Sequence, residues 1–292
     1  MKYILSLLFF STSIVIETST DENILIGVIE DAQYKKEISI ARILYIKSNK
    51  GWEALDSKYD HEVLEQSVYS WILAFDGKNI GSVETIDDYE TLNCDWCFPR
   101  DKVFRIINQS NIPKLGNKEK RFVDWTGLPK NRPVVIVNKP YYKDHEQWKR
   151  YNAVQLDLEL LFDSLKDKIG KTYHCNGEPN WDATEIEITI KDVKLYRSYK
   201  NIKGQKLISA GLADMHTKDC DGPVDKTSLP IWFYIDNEIK FVGYELDLLD
   251  AADYDGDGEI EFIFHHSGYN EDGYTLFDSN FNERYDYYWN YH

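Results

Sequence analysis

Apolar and polar residues alternate through Glu185-Ile-Glu-Ile-Thr-Ile190, the pattern of a strand with one buried and one solvated face. Most of the chain reads this way, as short β-branched and aromatic runs between turn residues. Strands are predicted over 24–29, 38–46, 69–75, 79–83, 133–137, 229–235, 239–249, 274–277 and 284–289. Turns are predicted at Ser48-Asn-Lys-Gly51, just before Trp52, and at Asp76-Gly77 and Asp236-Asn237, the last two closing hairpins. Tyr285, Tyr287, Trp289 and Tyr291 would share one face of a closing strand packed on a core; the alternative is an aromatic sugar-binding platform.

One segment departs from this pattern. Between Asp144 and Ile169, Val154, Leu158, Leu161, Phe162 and Leu165 recur every three or four residues, which predicts a helix or two short helices. Asp144 is the expected cap at its start and Gly170 the expected end. The expected fold class is mainly β, a propeller-like or other multi-sheet β architecture with one inserted helical segment. The expected organisation is a signal peptide over 1–20, a β region over 21–143, the helical segment over 144–170 and a second β region over 171–292; the β regions could also form one continuous domain.

The N-terminus adds a compartment. A short basic start, Met1-Lys2, precedes an apolar run to Ile16, as in a secretory signal with cleavage after Ser13 or near Thr20. The run is too short and too rich in Ser and Thr for a membrane span, and no integral membrane segment is expected after its removal. The protein is therefore expected to be secreted or periplasmic. Cys94, Cys97, Cys175 and Cys220 suit an oxidising compartment, with Cys175–Cys220 and Cys94–Cys97 as the favoured pairing of three possible ones. A formal net charge of −16 argues against nucleic acid or an anionic membrane as partner and leaves a protein or carbohydrate ligand.

The chemistry concentrates in Asp253-Tyr-Asp-Gly-Asp-Gly-Glu-Ile-Glu261. Carboxylates on alternate residues can curl round a hard cation, which needs about 6–8 oxygen ligands when it is Ca²⁺, and the glycines let the backbone turn. An EF-hand would place a bidentate Glu at the twelfth position and continue as a helix, whereas Phe264 stands there and a strand-forming run follows. A D-x-D-G-D-G-x-x-(D/E) loop entering a hydrophobic strand resembles the FG-GAP/VCBS-type repeats of integrin-like β-propellers. That resemblance covers about residues 239–280. It implies a Ca²⁺ ion held by the side chains of Asp253, Asp255, Asp257 and Glu261 and by the backbone carbonyl of Glu259.

Other candidates are weaker in pattern. Cys94-Asp-Trp-Cys97 has the spacing of redox thiols but no amphipathic helix follows it. His174, Cys175, His216 and Cys220 supply zinc donor types without a finger spacing. His265 and His266 would point to opposite faces of their strand and cannot act as a pair. Asn108-Gln-Ser110 is a glycosylation sequon. The function expected is a calcium-stabilised binding or scaffold module without catalysis. The alternatives are an extracellular hydrolase acting on carbohydrate and a thiol oxidoreductase.

Overall fold

The structure is a computed structural model and describes residues 23–31, 39–55, 68–86, 103–108, 112, 131–140, 142–175, 183–213, 230–268 and 271–290. The signal segment, Cys94, Cys97, His216, Cys220 and two of the three sequon residues lie outside the described residues, and so do the disulfide, redox and zinc expectations that rest on them.

The N-terminal strands are β1 (Ile24–Asp31), β2 (Ser39–Ser48), β3 (Gly51–Ala54), β4 (Val68–Phe75), β5 (Lys78–Ile86), β6 (Val103–Ile106) and β7 (Val134–Val137). They follow the order β1-β7-β4-β5-β6-β2-β3, and β1 also pairs with β2. That extra pairing closes β1, β7, β4, β5, β6 and β2 into an antiparallel barrel, with β3 alongside the far half of β2. Closure removes the unpaired edges an open sheet would present. The interior is solid: Leu25, Ile43, Trp71, Leu73, Val83, Phe104 and Ile136 form one buried cluster. Trp71 satisfies its indole N–H on Thr85 Oγ1 at 2.8 Å. Gly77 closes the β4–β5 hairpin with Asp76, both at positive φ (69° and 50°), as the Asp-Gly dipeptide predicts.

Two further sheets follow. One is five-stranded, with β8 (Lys149–Arg150), β11 (Val193–Lys200), β12 (Lys206–Leu212), β13 (Ile231–Ile235) and β14 (Ile239–Tyr244) in the order β14-β13-β12-β11-β8. The other is a four-stranded meander of β15 (Leu246–Ala252), β16 (Glu261–Gly268), β17 (Glu271–Phe277) and β18 (Arg284–Asn290). β9 (Thr172–Cys175) and β10 (Ala183–Ile186) pair as a ribbon.

The buried clusters show how these parts stack. Helix α1 (Gln155–Ile169) lays Leu158, Leu161 and Leu165 against Ile208, Ile231 and Phe233 of the five-stranded sheet. The other face of that sheet offers Tyr199, Leu207 and Trp232 to Leu248, Phe262 and Phe264 of the meander. The meander's far face offers Leu249, Ile263, Leu276 and Trp289 to Ile26, Leu44 and Val135 on the barrel's outside. The order is helix, sheet, sheet, barrel. Because the meander is covered on both faces, β16 is buried at six consecutive positions instead of alternating.

The mainly β, multi-sheet class with one helical segment is therefore present. The meander has the form of a propeller blade, but the described sheets stack in layers and do not ring an axis. Three boundaries differ from expectation. The helix begins at Gln155 with Val154 as its N-cap, and Asp157, inside the first turn, reaches back so that its Oδ2 accepts the Val154 N–H at 2.8 Å; Asp144 accepts the Trp148 N–H instead. Gly170 ends it as predicted, at φ 74°. The single strand expected over 239–249 breaks at Glu245, which has φ 55°, and its two halves join different sheets. The run 185–190 leaves the ribbon after Ile186 and enters a 3-10 turn over Ile190–Asp192; Ile188 is still buried, against the helix.

Candidate metal centre

The acidic loop connects the end of β15 to the start of β16 on the side of the meander that faces the barrel. Asp253 is buried and is held at its backbone by a two-way pairing with Lys143, with N···O distances of 3.0 and 3.2 Å. Its carboxylate organises the turn: Oδ1 accepts the Gly256 N–H at 2.6 Å and Oδ2 accepts the Gly258 N–H at 3.1 Å. Gly256 and Gly258 have φ of 80° and 91°, a region that favours residues without a Cβ. Asp255 and Asp257 repeat the device one step on, each accepting the amide two residues later at 3.0 and 2.9 Å. Glu261, the first residue of β16, reaches back to accept the Tyr254 N–H at 3.0 Å.

This folding brings Asp253, Asp255 and Glu261 together, with one carboxylate oxygen from each lying within 4.8 Å of the others. Opposed ligands on one Ca²⁺ stand about 4.6–5.2 Å apart, twice the Ca–O distance, so the spacing suits such an ion. Asp257 stays outside that group, half exposed, and Glu259 is exposed at the loop's rim.

Lys47 is the group that sequence pattern does not reveal. It comes from barrel strand β2, and its ammonium bonds Asp255 and lies 3.5 Å from Asp257 Oδ2. Burial pulls this ammonium down, but its bond to Asp255 and the charges of Asp257 and Glu261 carry it above its ordinary pKa. Asp255 nevertheless titrates high, because burial outweighs the lysine. Glu261 is buried at 3% exposure, and burial followed by the charge of Asp255 pushes its carboxyl up to about 8. One lysine does not neutralise this set of carboxylates.

A pH dependence follows for the metal-free protein. A carboxyl whose pKa is raised by folding binds its proton more tightly in the native state, so its stabilising contribution is whole below the unfolded value of about 4.3 and is lost as pH rises through about 8. In chelator, thermal stability should fall between about pH 5 and 8, and Glu261→Gln should flatten that fall. A variant with the same slope as the parent would remove Glu261 as its source.

The loop is tied to its surroundings through Tyr254, whose buried hydroxyl donates to Asp250 Oδ2 at 2.9 Å. Asp250 Oδ2 also accepts the Tyr142 hydroxyl at 2.8 Å, and Oδ1 accepts the Gly77 N–H at 3.0 Å. His265 and His266 lie on opposite faces of β16, as their adjacency predicts: His265 packs edge-on to Tyr274, while His266 stacks on Tyr288 with Nε2 3.1 Å from Glu271 Oε1. Tyr287 and Trp289 are buried between meander and barrel, which supports core packing over a binding platform. Among the described residues, no helix is long and apolar enough to cross a membrane.

No family model, curated protein or solved structure matches this chain.

Proposed function

We propose that this protein is a secreted or periplasmic binding module in which a single Ca²⁺ ion clips the 253–261 loop, with no catalysis of its own. The observation that carries this reading is the convergence of Asp253, Asp255 and Glu261 at a spacing suited to one ion, in a loop already turned by two glycines. Asp257 and the Glu259 carbonyl complete the proposed ligand set, as in the FG-GAP/VCBS-type loops it resembles. Export rests on the N-terminal segment and its agreement with a calcium-rich compartment. The ion's part is structural, since Asp253, Asp255, Asp257 and Glu261 are each a proposed ligand and each cap a backbone amide of the loop.

A carbohydrate hydrolase is the second reading, because a cleft beside the loop contains Asp144 and Asp250. Asp250 weighs against it. Both of its oxygens are committed to Gly77, Tyr142 and Tyr254, and the remaining cleft carboxylate, Asp76, is ion-paired with Arg132 at 2.8 Å, so neither stands free beside Asp144 as the second carboxylate that glycoside hydrolysis uses.

Calorimetric titration of the full chain, purified in chelator, should show one Ca²⁺ bound per chain, and Asp255→Ala should remove the binding. Absence of saturable binding at millimolar Ca²⁺, or unchanged binding in the variant, would overturn the assignment.

A further inference from the structure

The tip of the β4–β5 hairpin is one corner at which the barrel meets the C-terminal layers. Gly77 donates its N–H to Asp250 Oδ1 of β15 at 3.0 Å. Arg132, just ahead of β7, bonds Asp76 Oδ1 at 2.8 Å and the Leu249 carbonyl. Beneath the tip lies Asp144. A Cβ at Gly77 would stand 2.6 Å from the Asp144 Cβ and 2.7 Å from its Oδ2, so hairpin and carboxyl are in direct contact.

This carboxyl is poorly placed to carry a charge. Its Oδ2 accepts the Trp148 N–H at 2.8 Å, but its Oδ1 is buried and, among the described residues, has no donor. Burying an anion with an unserved oxygen is costly, and a neutral carboxyl costs less. The neighbouring charges add to the cost. Asp76 comes from the hairpin, Asp250 from β15 and Glu146 from the same segment as Asp144. Arg132 is already shared between Asp76 and the Leu249 carbonyl, and Lys203 is engaged by Glu146 at 2.6 Å. Lys78, Lys143 and Lys149 are exposed, each with its ammonium open to water. Tyr142, whose hydroxyl serves Asp250, and His145 are the other titratable groups at this corner. Burial, opposed by the Trp148 and Gln147 amides and reinforced by the charges of Asp250 and Glu146, pushes the Asp144 carboxyl up to about 6.

We propose that Asp144 is a proton-operated latch under the β4–β5 hairpin: neutral, it lets the tip seat against the 142–150 segment and β15; ionised, it pushes the tip away. Gly77 and Lys78 share the lining of a cleft of about 580 Å³ with Trp148 and Leu248, so the latch sets how firmly one wall of that cleft is held. Folding raises the pKa of this carboxyl. The seated hairpin therefore has its full stabilisation below the unfolded value of about 3.9 and loses it as pH rises through about 6. The latch uses none of the loop carboxylates, so it stands or falls separately from calcium binding.

The test is hydrogen exchange at the Gly77 amide, followed by NMR in the full chain in chelator and expressed as protection relative to the intrinsic rate at each pH. With the two pKa values above, protection in the parent should fall about tenfold between pH 5 and 7.5. Glu261→Gln should show the same fall. Asp144→Asn, which keeps the acceptor for Trp148 but cannot ionise, should hold its protection within about twofold. The side-chain carboxyl carbon of Asp144 in the parent should titrate near pH 6, in step with the Gly77 amide. An unchanged parent overturns the proposal. A tenfold fall that survives in Asp144→Asn overturns it in favour of Asp250 or His145, and its loss in Glu261→Gln does so in favour of the acidic loop. An Asp144 midpoint below about pH 4.5 overturns it from the parent protein alone.

Discussion

Asp250→Ala is expected to cost at least about 3 kcal/mol of stability, the largest loss of any single polar substitution near the candidate site. Asp250 is only 3% exposed and accepts three hydrogen bonds from three separate parts of the protein. Gly77 belongs to the barrel hairpin, Tyr142 to the segment leaving the barrel, and Tyr254 to the acidic loop. Alanine would leave two phenolic hydroxyls and an amide without an acceptor, and each such buried donor costs about 1–3 kcal/mol. At about 2–4 °C per kcal/mol, the melting temperature should fall by roughly 6–12 °C. Asp250→Asn keeps one carbonyl acceptor and offers its amide to the tyrosine oxygens, so it should lose about half as much. Chemical denaturation of the three proteins side by side measures both differences. An alanine variant within about 1 kcal/mol of the parent would show that the three donors find other partners, and the junction would not depend on this carboxylate.

What the sequence makes legible here is local. Asp76-Gly77 announces its hairpin because only a few residues tolerate two successive positive φ values, and that requirement needs no knowledge of the rest of the chain. The acidic loop is legible for the same reason, since its caps and turns lie within nine residues of one another. Features set by distant partners are not. The continuous apolar run from Ile239 to Leu249 suits one long strand, and its break at Glu245 follows from the need to serve two stacked sheets. Asp144 stands where a helix cap could stand, but Gly77, brought close by the barrel, packs directly on it; a Cβ there would lie 2.6 Å from the Asp144 Cβ. Barrel closure depends on β1 taking both β2 and β7 as partners, across more than a hundred residues in the second case. Lys47 meets Asp255 across 208 residues, so the loop's own pattern carries no trace of its counter-ion.

That lysine gives the calcium loop its most decisive experiment. In the metal-free protein, Lys47 is the cation bonded to Asp255 and the one facing Asp257, and it lies 5.4 Å over the ring of Trp52. A bound Ca²⁺ would compete with it for the Asp255 carboxylate. Lys47→Met should therefore act in opposite directions on the two states. Without metal, Asp255 and Asp257 lose their counter-charge and repel, and the melting temperature in chelator should fall. With metal, the ion no longer displaces an ammonium, so affinity should rise several-fold. For the parent, calcium at about a hundred times its Kd should stabilise by about 2.7 kcal/mol, a rise of roughly 5–10 °C. The Lys47→Met variant should start lower and rise further at the same calcium concentration, while Asp255→Ala should show no calcium-dependent rise. A calcium-induced shift that is unchanged or smaller in Lys47→Met would mean that lysine and ion do not share the carboxylate. A full shift in Asp255→Ala would place the ion elsewhere in the protein. Because both variants are read in the same melting experiment, with and without chelator, a general loss of stability cannot imitate either result: it would lower both curves together and leave the calcium increment as it was.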